Sequence, residues 1–187
     1  IAKHIKQAGG NATWDRLAEH LEEVSTGRRR FVINRELDAP IARTFEMWAN
    51  PEHLAKWLPP PGTTMRFLRS EIAAGKSTLF VIAGNHGTMH VRAEYLEIDP
   101  PRRIVYTQRF VDEREQLAAA PGAETWPATL LTTVLFTDET PERTRVTVTS
   151  EPSGEVTSAE VEAFVRERAG MTLGWTSSFD ALEALVP

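Results

Sequence analysis

Residues 157–187 read TSAEVEAFVRERAGMTLGWTSSFDALEALVP, and the spacing of their apolar side chains decides the fold. These side chains recur mostly at every third or fourth position, at Val161, Phe164, Val165, Met171, Trp175, Phe179, Leu182 and Leu185. That spacing gathers them on one face and predicts a single long amphipathic helix, with Ser158 as its N-cap. A helix with so wide an apolar face needs a large apolar partner from the rest of the chain.

Two glycines, Gly170 and Gly174, interrupt this predicted helix. Each costs up to about 1 kcal/mol relative to alanine. Because glycine has no Cβ, we expect the helix to lie close to a sheet at these positions or to leave room beneath it.

The composition is typical of one soluble globular domain: 187 residues, of which 41% are hydrophobic and 25% charged. The net charge of −5 argues against nucleic acid as the main partner. No apolar run approaches the roughly 20 residues of a membrane span. The chain has no cysteine, which excludes disulfides, thiol catalysis and thiolate metal sites. A cytoplasmic location follows as the default.

The first 27 residues are interpreted as an N-terminal extension to a domain that spans residues 28–187. Residues 1–10 are expected to be a poorly ordered lead-in, and residues 12–24 an amphipathic helix that ends at Gly27. The apolar face of this helix carries Trp14, Leu17, Ala18, Leu21 and Val24. The favoured interpretation is that this face packs on its own domain, and the alternative is a homodimer contact.

The central part of the chain predicts a strand, two short helices and then a series of strands. Residues 28–40 form the first strand, and helices follow at 41–50 and at 50–58, the second capped by Asn50. From residue 64 the apolar period changes to two, which predicts strands separated by short turns, at 64–72, 77–84, 89–98, 103–110, 129–138 and 144–152. Short connections favour an antiparallel meander with one face covered. Trp126, in the long loop 111–128, is interpreted as a lid over a cavity or as a dimer contact.

Several phrases in this order resemble the activator-of-Hsp90-ATPase-like proteins of the START and birch-pollen-allergen-like superfamily. They are LDAPIARTFEMWANPEHLAKWL (37–58), AEYLEIDPPRRIVYTQRF (93–110), WPATLLTTVLFTD (126–138), TRVTVTSE (144–151) and GWTSSFDALEAL (174–185). The resemblance implies an α+β helix-grip fold, in which a curved antiparallel sheet of six to seven strands wraps a long C-terminal helix. It also implies a cavity between sheet and helix, and it brings contact with a chaperone into consideration. The N-terminal helix is an addition to the minimal domain of that family.

The predicted ligand-binding residues are those that alternation and helical spacing turn toward this cavity. They are Trp48, Trp57, Leu68, Phe80, Ile82, Val91, Tyr106, Gln108, Thr132, Val134, Met171 and Trp175. The set is apolar with a few polar groups, which is typical of a pocket for a small hydrophobic or amphipathic molecule. The alternative is that the same side chains simply fill a core.

No catalytic residues, metal ligands or cofactor are predicted. The five histidines are scattered, and the chain has no nucleophile elbow, P-loop or dinucleotide motif. A cyclase-like or hydrolase-like enzyme that uses the same cavity is kept as an alternative; it requires an inward ionisable side chain, for which Glu94 and His90 are the nearest candidates. A third hypothesis is a module that contacts the chaperone Hsp90, which rests on the resemblance alone.

Overall fold

The computed structural model describes residues 11–26, 29–85, 87–123 and 125–186. The predicted lead-in at 1–10 and the predicted helix stop at Gly27 lie outside these ranges. Within them the helices are α1 (Asn11–Thr26), α2 (Ile41–Ala49), α3 (Pro51–Trp57), α4 (Ser158–Arg166) and α5 (Arg168–Glu183). The strands are β1 (Phe31–Leu37), β2 (Thr64–Ser70), β3 (Ser77–Gly84), β4 (Gly87–Asp99), β5 (Arg103–Val111), β6 (Leu130–Thr140) and β7 (Arg143–Pro152).

All seven strands form one antiparallel sheet in the order β1-β7-β6-β5-β4-β3-β2. Strands β2 to β7 therefore follow one another as a meander, and β1 pairs with β7 at one end. This confirms the predicted α+β fold, with two short helices after the first strand. Along β7 the residues alternate between buried and half-buried, as expected for a sheet with one face on the core.

The C-terminal segment forms two consecutive helices instead of the predicted single one. They meet at Glu167, whose φ of −83° and ψ of −2° end α4, although its backbone N–H still donates to Ala163. The N-cap is Thr157, not Ser158. Its hydroxyl accepts the Glu160 N–H at 3.2 Å, and the Glu160 carboxylate accepts the Thr157 N–H at 2.7 Å. A glutamate three residues after Thr157 completes this reciprocal pair, which Ser158 cannot form.

The core lies between the concave side of the sheet and helices α2, α3 and α5. The Trp48 ring packs on Trp57 at 4.3 Å and on Phe136 at 5.3 Å between centroids. The Trp57 indole N–H donates to the Met47 carbonyl at 3.0 Å, so this fully buried ring has its polar atom satisfied. Phe179 brings α5 into the same cluster, with its ring 6.2 Å from that of Trp48.

The glycines of α5 do not serve the close approach that the sequence suggested. A Cβ built at Gly174 would meet no atom within 4 Å, and one at Gly170 would meet only Glu167 Oε2, at 3.4 Å. Both residues are exposed. The helix is held to the sheet by its fully buried Phe179 and Leu182, and Arg35 adds ion pairs with Asp180 at 2.8 Å and Glu183 at 3.3 Å.

Helix α1 packs on the domain with its acidic face, so the prediction that its apolar face packs there is wrong. Trp14, Leu17, Leu21 and Val24 are 68%, 42%, 58% and 71% exposed.

Asp15 and Glu19 are each only 2% exposed, because α1 lies along the free edge of β1. The Val32 backbone N–H donates to Glu19 at 2.8 Å, and Arg16 donates to the Val32 carbonyl at 3.0 Å. The backbone N–H and the side-chain amide of Asn34 both donate to Asp15. The outward backbone groups of an edge strand need polar partners, and the polar face of α1 supplies them.

The tryptophan of the long loop belongs to the core. Trp126 is half-buried, and its ring packs on Phe164 of α4 at 5.7 Å. It therefore forms no lid over the cavity described below. None of the helices in the described ranges is both long and apolar enough to cross a membrane.

Candidate functional site

A cavity lies between the two short helices and the middle of the sheet. It is partly open to solvent and has a volume of about 30 Å³. The walls come from α2 and α3 on one side and from β3, β4 and β5 on the other: Trp48, Leu54, Leu58, Phe80, Ala93, Tyr95, Ile104, Tyr106 and Gln108. One water needs roughly 10–15 Å³ on this measure, so the cavity has room for about two.

Local sequence explains why these side chains converge. Trp48 belongs to the inward face of α2, and Leu54 and Leu58 are one helical turn apart, at the inner side and end of α3. On the strands, alternation places Ala93 and Tyr95 on one face of β4. Ala93 has the smallest side chain among the residues that line the cavity, and this contributes to the open space.

The polar groups of the cavity lie on β4 and β5. The Tyr106 hydroxyl bonds the Thr132 side chain, which in turn shares a buried hydrogen bond of 3.0 Å with Ser150. The Tyr95 hydroxyl lies near Thr78, whose own buried hydroxyl has no hydrogen-bond partner in the described residues, and the Tyr95 ring lies 5.8 Å from that of Tyr106. In the described ranges the Gln108 side-chain amide has no hydrogen-bond partner. It is therefore the polar group of this wall that is available to a ligand.

Both tyrosines stay protonated at neutral pH. Burial raises the pKa of Tyr95, and the nearby Thr78 hydroxyl offsets part of the rise. Burial also raises the pKa of Tyr106, with a further contribution from Tyr95, against the hydrogen bond to Thr132. A phenol whose pKa lies above its ordinary value of about 10 can exchange hydrogen bonds with a ligand but cannot act as a base near pH 7.

Four of the twelve predicted ligand-binding residues line the cavity: Trp48, Phe80, Tyr106 and Gln108. Others lie in the layers behind or beside it. Trp57 is the fully buried partner of Trp48, Thr132 bonds Tyr106, and Val91 and Ile82 pack in a neighbouring cluster around Phe80. Val134 is a fully buried core residue, and Met171 and Trp175 are partly buried against the main core without lining the cavity.

The prediction is wrong for Leu68, which is 45% exposed on the other side of β2. The cause is an irregularity in the pairing with β3, where Phe67 faces Phe80 but Arg69 already faces Leu79. A bulge of this kind changes the phase of alternation. The inward residues of the strand are Met65 and Phe67, whose ring packs on Phe80 at 5.6 Å.

The twelve predicted residues omit five that line the cavity: Leu54, Leu58, Ala93, Tyr95 and Ile104. Their signals were present in the sequence. Ala93 and Tyr95 alternate in phase with Val91, Ile104 alternates with Tyr106, and the two leucines follow a helical spacing. What the pattern does not reveal is which of several inward layers borders the empty space.

The ionisable side chains proposed for catalysis lie on the other face of the sheet. Glu94 pairs with Arg92 at 3.0 Å and with Arg109 at 3.6 Å, and His90 lies four residues before Glu94, in the same phase of β4. The irregularity in β4 falls at Tyr95–Glu97 and does not turn these residues inward. The nine lining residues include no carboxylate and no imidazole. No three histidine, aspartate or glutamate side chains gather as metal ligands in the part of the chain that the structure describes.

Comparison with known proteins gives one family and many similar folds. The sequence model of the family described as "Activator of Hsp90 ATPase homolog 1-like protein" matches residues 38–187. No curated protein matches the chain.

Three of the solved structures illustrate the fold. Protein Ms6760 from Mycobacterium smegmatis is 20% identical, with a TM-score of 0.69 over 84% of this chain and 90% of that one. A protein from Arthrobacter aurescens is 23% identical, with a TM-score of 0.70 over 84% and 85%. Protein CV1439 from Chromobacterium violaceum is 25% identical, with a TM-score of 0.64 over 84% and 96%.

Proposed function

The chain belongs to the Activator of Hsp90 ATPase homolog 1-like family, and we propose that it binds a small, largely apolar molecule with one polar group. The ligand would occupy the cavity between α2, α3 and strands β3 to β5. The observation that carries the proposal is the wall itself, which is mostly aromatic and aliphatic and includes one amide without a partner, that of Gln108. A few placed polar groups in an apolar cleft are the usual composition of a small-molecule site.

The polar group of the ligand is assigned to Gln108, and the apolar part to Trp48, Phe80 and Tyr106. Gln108 offers both an N–H donor and a carbonyl acceptor, so it suits an alcohol, phenol, amide or ketone. It offers no charge, and a ligand carboxylate or amine would lose its hydration without gaining an ion pair. The expected ligand is therefore neutral.

Binding requires the cavity to widen, because its 30 Å³ holds water but no organic ring. Ligand pockets usually measure about 300–1,000 Å³, so part of the wall has to move before a drug-sized molecule can enter. The part of the wall suited to moving is the side chain of Leu58, which is only half-buried and lies just before the proline-rich turn at residues 59–61. Trp48 is anchored on Trp57 and Phe136 and is expected to stay in place.

The experiment compares 2-naphthol with naphthalene, followed by tryptophan fluorescence and by the NMR signals of the Gln108 side-chain amide. Gln108→Leu is expected to weaken 2-naphthol by about 10-fold, the value of one hydrogen bond, and to leave naphthalene unchanged. Ala93→Leu fills the cavity and is expected to abolish both. Leu96→Ala, on the exposed side of the same strand, is the matched control and should bind like the unaltered protein. Equal binding by Ala93→Leu would show that the probes enter elsewhere and would refute the proposal.

The domain boundary and the chaperone remain separate proposals. We infer that residues 28–187 form the ligand-binding domain and residues 1–27 an appendage to it, in agreement with the family match from residue 38. Contact with an Hsp90-type chaperone has the family description as its only support. A pull-down with purified Hsp90 that retains this chain would support it, and an empty one would dismiss it.

A further inference from the structure

The exposed apolar side of α1 is a continuous stripe. It consists of Trp14, Leu17, Leu21 and Val24, separated by three, four and three residues, and is called the α1 stripe below. Helical positions at this spacing form the seam of a two-helix coiled coil. An exposed apolar patch of this kind on an ordered element marks an interaction surface.

The charges around the α1 stripe decide which partner suits it. Seam-flanking positions in a coiled coil usually carry the charges that select a partner. Here those with a described side chain are Thr13, Ala18 and His20, and the sequence places Ser25 at the fourth. No lysine, arginine or carboxylate flanks the seam, so a highly charged partner would find nothing to pair with.

A membrane surface suits the α1 stripe poorly for the same reason. Helices that lie on anionic membranes carry lysine and arginine along the polar boundary. Helix α1 has Arg16 against four carboxylates, Asp15, Glu19, Glu22 and Glu23, which gives it a net charge of −3. Anionic lipid headgroups would be repelled.

A second copy of the chain is the partner that fits. The 3-4-3 spacing reads the same in both directions about residue 19, so two α1 helices can pair antiparallel with matched seams. Trp14 then lies opposite Val24 of the other copy, a large side chain against a small one, and Leu17 lies opposite Leu21. A parallel pair would place Trp14 on Trp14. Since the seam-flanking positions are uncharged, neither copy brings a charge that the other must bury.

We propose that the α1 stripe is a homodimer contact, in which two α1 helices pair antiparallel about a twofold axis near Glu19. The arrangement leaves the acidic face of each helix on its own β1, so the contact adds to the docking of α1 and does not compete with it. The side chains of the α1 stripe are exposed on a single copy because, in the dimer, they pack against the α1 stripe of the other copy.

The experiment measures the mass of the full chain by sedimentation velocity at concentrations up to ~100 µM, a range suited to a dimer of micromolar affinity. The expected mass is twice 20.9 kDa at the upper end. The double variant Leu17→Glu/Leu21→Glu should be monomeric, because it puts four carboxylates into the seam. Leu173→Glu, which alters an exposed leucine on α5, is the matched control and should still dimerise.

Because the chain has no cysteine, one introduced thiol tests the orientation. In an antiparallel pair about residue 19 the two Ala18 positions lie on the same side of the seam, so Ala18→Cys should form an intermolecular disulfide under mild oxidation. Ala169→Cys, on an exposed part of α5, should not. Any one of four results would overturn the proposal. They are a monomeric mass at all concentrations, a dimer that survives Leu17→Glu/Leu21→Glu, a dimer that Leu173→Glu also dissociates, and the absence of an Ala18→Cys cross-link. Co-sedimentation with anionic vesicles through Leu17 and Leu21 would overturn it in favour of a lipid surface.

Discussion

The docking of α1 on β1 should weaken as the pH rises from 4 to 8. Burial is the main cause that raises the pKa of Asp15 from its ordinary 3.8 to about 6, against the Asn34 hydrogen bonds and Arg16, which lower it. Burial likewise raises the pKa of Glu19, against the Val32 hydrogen bond, Arg16 and Arg168. The docking of α1 can therefore be altered by changing the pH, and also by the variant Asp15→Asn, which removes one of the two buried carboxyl groups.

The magnitude follows from the two pKa values of Asp15. Below pH 3.8 the carboxyl is protonated whether α1 is docked or released, and its burial carries no charge penalty. Between pH 3.8 and about 6 only the released form ionises, so docking loses free energy as the pH rises. Above about 6 both forms are ionised and the full difference applies, which is at most about 3 kcal/mol at ~1.36 kcal/mol per tenfold change, or roughly 150-fold in the equilibrium. Glu19 acts in the same direction.

Hydrogen exchange offers a local assay, since two backbone amides of β1 depend on α1 for their partners. Val32 N–H donates to Glu19 and Asn34 N–H to Asp15, so each exchanges when α1 is released. After correction for intrinsic rates, their opening constants should rise with pH up to about pH 6–7 and then level off. At pH 8, Asp15→Asn should slow the exchange of Asn34 by as much as ~100-fold. Gly75, whose N–H donates to the Tyr95 carbonyl at 2.8 Å at the opposite end of the sheet from β1, is the internal control and should not show this rise.

Opening constants of Val32 and Asn34 that fall with rising pH would refute this reasoning. So would an Asp15→Asn variant that exchanges like the unaltered protein at pH 8. In either case the carboxylate would be ionised and satisfied in the docked helix, and the hydrogen bonds from Asn34 would outweigh the loss of hydration.

Three further predictions concern the domain itself. Thr157→Ala removes the N-cap of α4 and should lower the free energy of unfolding by about 1 kcal/mol in a urea titration. The hydrogen bonds from Thr157 lower the pKa of Glu160, so the contribution of this cap should be lost as the pH falls through that lowered pKa. Trp48→Ala should lower the free energy of unfolding by about 3–5 kcal/mol in the same assay, because removal of a buried ring that packs on three others leaves a cavity. Thr132→Val should cost about 1–3 kcal/mol by leaving the buried hydroxyls of Ser150 and Tyr106 without their partner. Thr132→Val combined with Ser150→Ala should recover the part that belongs to Ser150, and an equal loss in the double variant would contradict this.

The sheet was predictable from the sequence because a period of two is a local signal. Val146 and Val148 of β7, for example, alternate with half-buried threonines as their positions require. The phase of β2 was not predictable, since the irregularity at Leu68 arises from the pairing with β3 and has no local signature. Thr157 and Ser158 are both good N-caps, and only the reach of Glu160 back to Thr157 distinguishes them.

The cavity and the orientation of α1 depend on distances that no periodicity contains. Tyr106 and Val134 both point toward the concave side of the sheet, but only Tyr106 borders empty space, because of how closely α2 and α3 approach. For α1, hydrophobicity predicts one orientation and the unpaired backbone groups of Val32 impose the opposite one. Local sequence identifies the apolar face of a helix, but it does not show which backbone groups on the edge of a distant strand need hydrogen-bond partners.

The cover that α1 places on β1 also concerns misassembly. A bare strand edge is a template on which extended segments of other chains can add, and such growth leads toward fibrils. At β1 an incoming strand would first have to displace Glu19 and Arg16 from Val32. A protein truncated before residue 29 would keep the sheet and lose the cover over β1. Its aggregation in concentrated solution should therefore increase more clearly than its melting temperature falls.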